Sequence, residues 1–305
     1  MKRHVAIGNI NLDIYVVVDS IPGPDEDVTA LELYMGPGGA AANYAVAAAR
    51  LGHEAYLVGH LGLQGLGAFL LEALKESGVK TDHVVIHRDK QPGIVVILVS
   101  QNGERAMATM RGANLLLRGD EVSTEADILH IASREPEIVK RATRSVSSSF
   151  VSYDPGGRIA RQYGSNLLDE VMDSVDLIAV NRVEADLVFG SSEPEKLVQK
   201  LRGRLTYILL KRGAQGAILV TREGYYSVEA YTEGRVVDTT GAGDVFISVL
   251  NSYIAEGRNV SEALRAASIA AGLKIMKRGA QSAPPREEIE KRLSQGKPRV
   301  LFTRF

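Results

Sequence analysis

Asp238-Thr239-Thr240-Gly241-Ala242-Gly243-Asp244 runs straight into Val245-Phe246-Ile247-Ser248-Val249-Leu250-Asn251 and on to Gly257. The second half is apolar on nearly every side, so it reads as a buried helix, Gly243 to Glu256. Ser261 to Met276 repeats small and apolar residues at 3.6 spacing and predicts a second helix packed closely against the first. The glycines at 241 and 243 let the backbone turn its N–H groups inward, and the helix N-terminus adds a field that favours negative charge. That combination is an anion hole. Asp244, a carboxylate among donors that attract anions, fits a general base that takes a hydroxyl proton while the donors hold a transferring phosphoryl group. The competing reading is that Asp244 only occupies a first helical turn, where acids are favoured, behind a tight glycine turn.

Outward from this stretch, short apolar runs alternate with helical periodicity, which predicts an α/β fold with a mainly parallel sheet and helices on both faces. Expected strands are Val5 to Ile10, Ala55 to Val58, Val84 to Ile86, Ile128 to Ile131, Phe150 to Tyr153, Leu177 to Val180 and Tyr207 to Leu210. Expected helices are Ala41 to Leu51, Leu66 to Ser77, Glu137 to Ser145, Ile159 to Val171 and Val183 to Phe189. Two stretches break the rhythm. Ile14 to Met35 alternates Val, Leu and Tyr, and Pro92 to Arg111 reads as a hairpin turning at Asn102-Gly103. Each is too short to stand alone, so the two are expected to pair into a small β-sheet lid, about 12–36 with 92–111, inserted in a single domain of 1–305. An extension of the main sheet is the other way to place them.

Composition narrows the partners. The 305 residues are 45% hydrophobic and 24% charged, with a formal net charge of −1 and no long run of one sign. A broad electrostatic footprint for nucleic acid or an anionic membrane is missing, and no apolar run approaches the roughly 20 residues that cross a bilayer. Small molecules are the expected partners, in a cytoplasmic protein. The absence of cysteine removes disulfides, thiolate metal sites and a cysteine nucleophile. Six histidines show no metal-binding spacing and are expected mostly at the surface or at strand ends.

A second glycine loop, Gly36-Pro37-Gly38-Gly39-Ala40-Ala41-Ala42-Asn43, feeds a helix of small residues. Its backbone can approach a ligand closely at Gly38 and Gly39, and Asn43 offers a donor and an acceptor, which suits a polyhydroxyl substrate. The glycines are contiguous, so the dinucleotide fingerprint fails, and the Gly-Lys-Ser/Thr ending of a Walker loop is missing. Close helix packing would also explain such a loop.

Together, the Gly-Gly-x-x-x-Asn and Asp-Thr-x-Gly-Ala-Gly-Asp segments resemble the two signatures of the ribokinase-like (PfkB) carbohydrate kinase family. Asn11 and Asp13, Gly112-Ala113-Asn114, Asn181-Arg182-Val183-Glu184, Lys211 to Gly216 and Gly279-Ala280-Gln281-Ser282 fall in the family's order, so the resemblance covers essentially the whole chain. It implies a Rossmann-like, ribokinase-like fold whose small β-lid covers the substrate. It also implies transfer of the ATP γ-phosphoryl group to a hydroxymethyl of a sugar, or of a nucleoside, with Asp244 as base and Gly241, Ala242 and Gly243 completing the anion hole. Asn11, Asp13, Gly38, Gly39 and Asn43 would then bind the acceptor, although Asn and Asp also favour turns. Asn181 and Glu184 would position Mg²⁺ and phosphate oxygens, or else form a helix capping box. Lys211, Gly213 and Gly216 would line the nucleotide, or else form a hairpin turn with solvated charges. Asp238, Thr240, Lys277, Gly279 and Ser282 match positions that hold a monovalent cation such as K⁺, while a plain helix C-terminus at Gly279 reads equally well.

Ala40 and Ala41 stand where the family's ribose branch carries Lys and Gly, and Ser133 stands where it carries Glu. These departures count against D-ribose and leave the phosphoryl-transfer residues untouched. Asp154-Pro155-Gly156-Gly157-Arg158 is similar to a segment of other branches in which the arginine meets anionic groups; a Pro-Gly turn with an exposed Arg158 is the alternative. A non-catalytic sugar- or nucleotide-binding regulator is the reading from another class, and the intact Asp244 argues against it. An exposed lid sheet suits a homodimer.

Overall fold

The computed structural model describes residues 1–102 and 104–305. The first half of the chain runs β1 (Arg3–Ile7), β2 (Asn11–Val18), β3 (Ala30–Gly38), α1 (Ala40–Arg50), β4 (Glu54–Gly62), α2 (Gly67–Glu76), β5 (Val84–His87), β6 (Gly93–Ser100), β7 (Arg105–Met110), β8 (Thr124–Ala132), α3 (Pro136–Ser145) and β9 (Val146–Asp154). It continues with α4 (Gly156–Tyr163), α5 (Asn166–Val171), β10 (Leu177–Asn181), α6 (Arg182–Phe189), α7 (Pro194–Leu197), β11 (Tyr207–Lys211), β12 (Ala217–Val220) and β13 (Gly224–Val228). The last elements are α8 (Ala242–Ala255), α9 (Val260–Lys274), α10 (Arg286–Leu293) and β14 (Val300–Arg304).

Ten strands form the main sheet in the order β14-β13-β12-β11-β10-β9-β8-β1-β4-β5. From β5 to β11 every pairing is parallel, and β12, β13 and β14 add an antiparallel edge. Apolar side chains from α1, α2, α8, α9 and α10 cover one face, and those of α3 to α7 cover the other. Alternating βα units leave both faces of a parallel sheet to be covered, so its central strands are apolar on both sides. The expected helix pair is present: α8 and α9 are buried along most of their length.

β3, β2, β6 and β7 form a separate four-stranded sheet. β2 pairs antiparallel with β3 and parallel with β6, which joins the two stretches that interrupted the βα rhythm into one lid. Of the expected turn at Asn102-Gly103, Gly103 lies outside the described residues.

Three expectations need correction. The single helix Ile159 to Val171 is two, because Gly164 at φ 52° breaks it. The expected strands end at Leu210, whereas the sheet continues through β12, β13 and β14 as an antiparallel edge. Four of the six histidines, at 4, 53, 60 and 130, are buried. His4 Nδ1 lies 3.0 Å from the Tyr44 hydroxyl and His130 Nδ1 lies 2.8 Å from Ser152 Oγ, so polar partners inside the core keep these imidazoles there. Burial drives both well below the ordinary histidine range, to about 3, and they stay neutral. Among the described residues no helix is long and apolar enough to cross a membrane.

Candidate active site

The C-terminal edge of the parallel strands, the helix starts above it and the lid converge on one cleft, the usual place for a ligand in an open α/β sheet. α8 begins at Gly241, whose φ of 77° is open to glycine. A Cβ there would stand 2.4 Å from the Ala280 carbonyl oxygen. The loop therefore lies directly on the 279–282 turn, and the first N–H groups of α8, beyond reach of any intrahelical carbonyl, face the cleft. Asp244 sits in that first turn, partly exposed.

α1 is built the same way. Its N-cap, Gly39, adopts φ 98°, and a Cβ would meet the Asn9 carbonyl oxygen at 2.3 Å. Gly38 leaves the space that the Asp13 carboxylate fills, since a Cβ there would lie 2.0 Å from Asp13 Oδ2. Asn43, one turn into α1, donates from Nδ2 to Asp244 Oδ2 at 2.7 Å, so the two glycine loops meet across 201 residues of chain. Asn43 Oδ1 has no partner among the described residues. Asn11 is held by Asn114, whose Nδ2 donates to Asn11 Oδ1 at 2.9 Å. Asn11, Asp13, Gly38 and Gly39 thus lie where β2 and β3 leave the main domain, and Asn43 reaches Asp244 from the adjoining helix.

Burial pushes the Asp244 carboxyl up to about 7; Asn43's hydrogen bond opposes the rise, and the Asp154 charge adds to it. Asp13 is also pushed up to about 7, by burial and then by the charges of Asp244 and Asp238. Two carboxyls in one cleft that titrate near neutrality are what a proton-accepting site needs.

On the nucleotide side, Lys211 ends β11 and donates to Asp154 Oδ2 at 2.5 Å. Burial works against its charge, but the carboxylates of Asp154 and Glu184 hold the ammonium above the ordinary lysine range. A Cβ on Gly243 would stand 3.5 Å from Lys211 Nζ, so this ammonium borders the anion loop. A largely apolar cavity of about 360 Å³ opens there, lined by Lys211, Gly213, Gly216, Thr239, Phe246 and Gly272. A second, of about 570 Å³, shares Lys211 and Gly213 and reaches Asn181 and Ser192. Lys211 to Gly216 also forms the hairpin turn, since β11 turns into β12 there.

Asn181 and Glu184 form the full capping box of α6, with Glu184 N donating to Asn181 Oδ1 at 3.0 Å and Asn181 N to Glu184 Oε2 at 2.8 Å. Burial and the neighbouring Asp154 raise the Glu184 carboxyl. Two acids that repel each other beside Lys211 suit a divalent cation that arrives with phosphates, because Mg²⁺ takes only one or two protein carboxylates. Among the described residues no group of three or more acids or histidines could hold a metal unaided.

The five cation candidates lie in one connected pair of loops. Thr240 N and Gly279 N each donate to the Asp238 carboxylate at 2.9 Å. Ser282 Oγ donates to the Gly279 carbonyl at 2.9 Å and reaches the Lys277 carbonyl at 3.5 Å. A residue that sequence reasoning missed stands among them. Lys274, wholly buried in α9, donates from Nζ to the Asp238 carbonyl oxygen at 2.7 Å. Burial lowers its pKa to about 8 against the pull of Asp238 and Asp244, so it carries its charge at neutral pH. The Asp238 carboxylate, the Asp238 carbonyl and the Gly279 carbonyl thus already have partners within the chain, a tethered ammonium among them.

The lid is latched over this site. Arg105 of β7 donates to Thr239 Oγ1, and Arg278, beside the 279–282 turn, bonds to Glu32 of β3. Neither contact has a sequence signal beyond an ordinary surface charge.

A family model described as pfkB family carbohydrate kinase matches residues 1–287. The chain is similar to a ribokinase of Bacillus subtilis, 29% identical over 96% of this chain and 100% of that one. It is equally similar, at 29% over 97% and 99% of the two chains, to a protein of Halopiger xanaduensis named ATP-dependent ribose-1-phosphate kinase. Among solved structures, Arabidopsis thaliana ribokinase complexed with ribose and ATP superposes with a TM-score of 0.80 at 27% identity, covering 96% of this chain and 98% of that one.

Proposed function

The chain belongs to the pfkB family of carbohydrate kinases, and from that membership we propose that it moves the ATP γ-phosphoryl group to a hydroxymethyl of a sugar, with Asp244 as the general base. The observation that carries this reading is the Asn43–Asp244 contact, which seats a carboxyl titrating near 7 where the amides of α8 begin. Asn11, Asp13, Asn43 and the amides of Gly38 and Gly39 hold the sugar hydroxyls. Asp244 accepts the proton of the attacking hydroxyl. The oxygen of that hydroxyl forms a bond to the γ-phosphorus, and the bond from that phosphorus to the β–γ bridging oxygen breaks, so ADP leaves with the electron pair. The amides of 241 to 244 and the Lys211 ammonium face the charge that grows on the transferring group. Asp154 and Glu184, together with the nucleotide's phosphates, would hold Mg²⁺, which would supply charge neutralisation to the phosphate oxygens. The latched lid keeps water from competing with the sugar. Relatives at equal identity are named for a free and for a phosphorylated pentose, which favours a sugar over a nucleoside. Incubation with ATP, Mg²⁺ and candidate sugars is expected to release ADP in step with sugar consumed; ATP breakdown unaffected by any sugar or nucleoside contradicts the proposal.

Lys274 supplies a fixed positive charge beneath the anion loop, in place of a monovalent ion. Wild-type turnover is therefore expected to be equal in Na⁺, K⁺ and Tris buffers, while Lys274→Met lowers kcat roughly 10²-fold, the scale of one lost electrostatic stabiliser. Several-fold stimulation of the wild type by K⁺ would show that the ammonium does not do the ion's work.

The outer face of the lid supports self-association. Leu33, Met35 and Met110, paired across the sheet with Val16, Ile14 and Ile94, are each 44% exposed or more. Sedimentation is expected to give a dimer that Leu33→Asp splits; a wild-type monomer at tens of micromolar contradicts this.

A further inference from the structure

A buried polar junction lies beneath the cleft, where the two glycine-loop helices meet the sheet, and nothing in the mechanism above uses it. Asn251 stands two turns along α8 from Asp244, and its Nδ2 donates to the Tyr44 hydroxyl at 3.2 Å and to Ser152 Oγ at 2.7 Å. Both amide hydrogens are then committed, so each hydroxyl turns its own hydrogen to a neutral imidazole, Tyr44 to His4 Nδ1 and Ser152 to His130 Nδ1. Ser248, one turn along α8 from Asp244, donates from Oγ to the Tyr44 carbonyl at 2.9 Å. The Tyr44 ring also stacks on His130, with centroids 4.0 Å apart. Asn251, Tyr44, Ser152 and Ser248 are each 1% exposed or less.

Each side chain that Asn251 joins is close in sequence to a residue of the site. Tyr44 follows Asn43, Ser152 precedes Asp154 by two residues, and Asn251 itself shares α8 with Asp244. One amide therefore ties together three elements that carry, at the cleft, the Asn43–Asp244 contact and the Asp154 end of the Lys211 pair. The packing explains why such a tie is needed. Besides Asn43 and Tyr44, α1 buries only alanines and Val46, and apolar contact between short side chains is non-directional, so it sets no register along a helix axis. Hydrogen bonds in a dry core do set one, because a slide of about 1 Å breaks them and leaves buried polar atoms unpaired.

We propose that Asn251 and Tyr44 are positioning residues for phosphoryl transfer, holding α8, α1 and β9 at the spacing that brings Asn43 onto the Asp244 carboxylate and keeps the Asp154–Lys211 pair against the anion loop. Neither touches the reactants; both act through Asn43 and Asp244. Misplacement of a reacting group by about 1 Å costs on the order of 10²-fold in rate, so a junction under the site has that much to protect. Both roles rest on the kinase reading and deepen it.

Asn251→Leu, which keeps the volume and removes both donors, is expected to lower kcat by about 10–10²-fold, and Tyr44→Phe, which keeps the ring stack, by about fivefold or more, with the KM for ATP unchanged in both. Rates are read with ATP and Mg²⁺ on whichever of D-ribose, D-fructose, α-D-ribose 1-phosphate and inosine the full chain turns over fastest. The pH profile separates positioning from a role confined to stability. Asn43's hydrogen bond holds the Asp244 carboxyl down, so loosening α1 from α8 moves the inflection of kcat/KM from near 7 to higher pH. The other charged groups that face Asp244, namely Asp13 from β2, Asp154 from β9, Lys211 from β11 and Lys274 from α9, stay in place as residues in both variants. Val139→Ala, a core truncation on α3 across the sheet, is expected to lower the melting temperature and leave kcat and the inflection as in the wild type. If Asn251→Leu does not fold, Tyr44→Phe decides alone. Wild-type kcat in the folded variants, a fall in kcat with the inflection still near 7, or an equal fall in Val139→Ala overturns the inference. If the wild type turns over none of the four compounds, the kinase reading fails, and ¹³C titration of the Asp244 carboxyl decides. A midpoint higher in Tyr44→Phe than in the wild type then supports the junction's hold on the Asn43–Asp244 contact, and equal midpoints overturn it.

Discussion

Asp244→Asn is expected to lower kcat by about 10²–10⁴-fold, the range for loss of a general base, and to leave ATP affinity unchanged. The amide can still meet Asn43, so the junction of the two glycine loops survives while the proton acceptor is gone. The same substitution should stabilise the fold. A carboxyl whose folded-state pKa is raised to about 7 from its ordinary 3.8 contributes its full share of stability below pH 4 and loses it as pH rises through 7. At pH 8 the wild type therefore carries an unfavourable charge that asparagine lacks, and the variant is expected to melt several degrees higher than the wild type at that pH and about level with it at pH 4. Steady-state kinetics, nucleotide titration and thermal melts at the two pH values check the three parts. A variant that turns over at the wild-type rate removes Asp244 from the mechanism.

Gly241→Ala is expected to damage both stability and rate. At φ 77° an alanine pays about 1–2 kcal/mol in the left-handed region. Its Cβ would also lie 2.4 Å from the Ala280 carbonyl oxygen, which is backbone and cannot swing aside. The loop must move off the 279–282 turn, and Gly279 N then loses its hold on Asp238. We expect a fall in melting temperature of several degrees and a loss of about 10²-fold or more in kcat, because the displaced amides are those that meet the growing charge. Thermal melts and single-turnover kinetics decide it; a variant equal to wild type in both would mean that the loop geometry does not matter.

These two substitutions fall on segments that were legible in the sequence, and the reason is physical. A glycine demanded by positive φ or by a close backbone approach leaves a letter that no other residue can replace, as at Gly38, Gly39 and Gly241. The parallel core was legible because strands buried on both faces are continuous apolar runs, and the lid because its two stretches alternate and fit no βα unit. The edge strands β12 to β14 were not legible, since Ala-Ile-Leu-Val and Gly-Tyr-Tyr-Ser-Val are too short to show a period. Lys274 reads as the solvated side of a helix until α9 is packed under the anion loop. Arg105 reads as a hairpin surface charge until the lid folds down on Thr239. Asp154 gains meaning only when β9 and β11 flank β10, a tertiary fact that local pattern does not carry.

The most direct test of Asp244 as base is the pH dependence of kcat/KM, which reports ionisations of the free enzyme. The wild type is expected to rise about tenfold per pH unit up to an inflection near 7 and to level off above it. In Asp244→Asn the residual rate should lose that inflection, because the proton acceptor is gone and Asp13, whose carboxyl is raised first by burial, does not take the hydroxyl proton. An inflection near 7 that persists unchanged in the variant, or a wild-type profile that is flat from pH 5 to 9, would contradict the account.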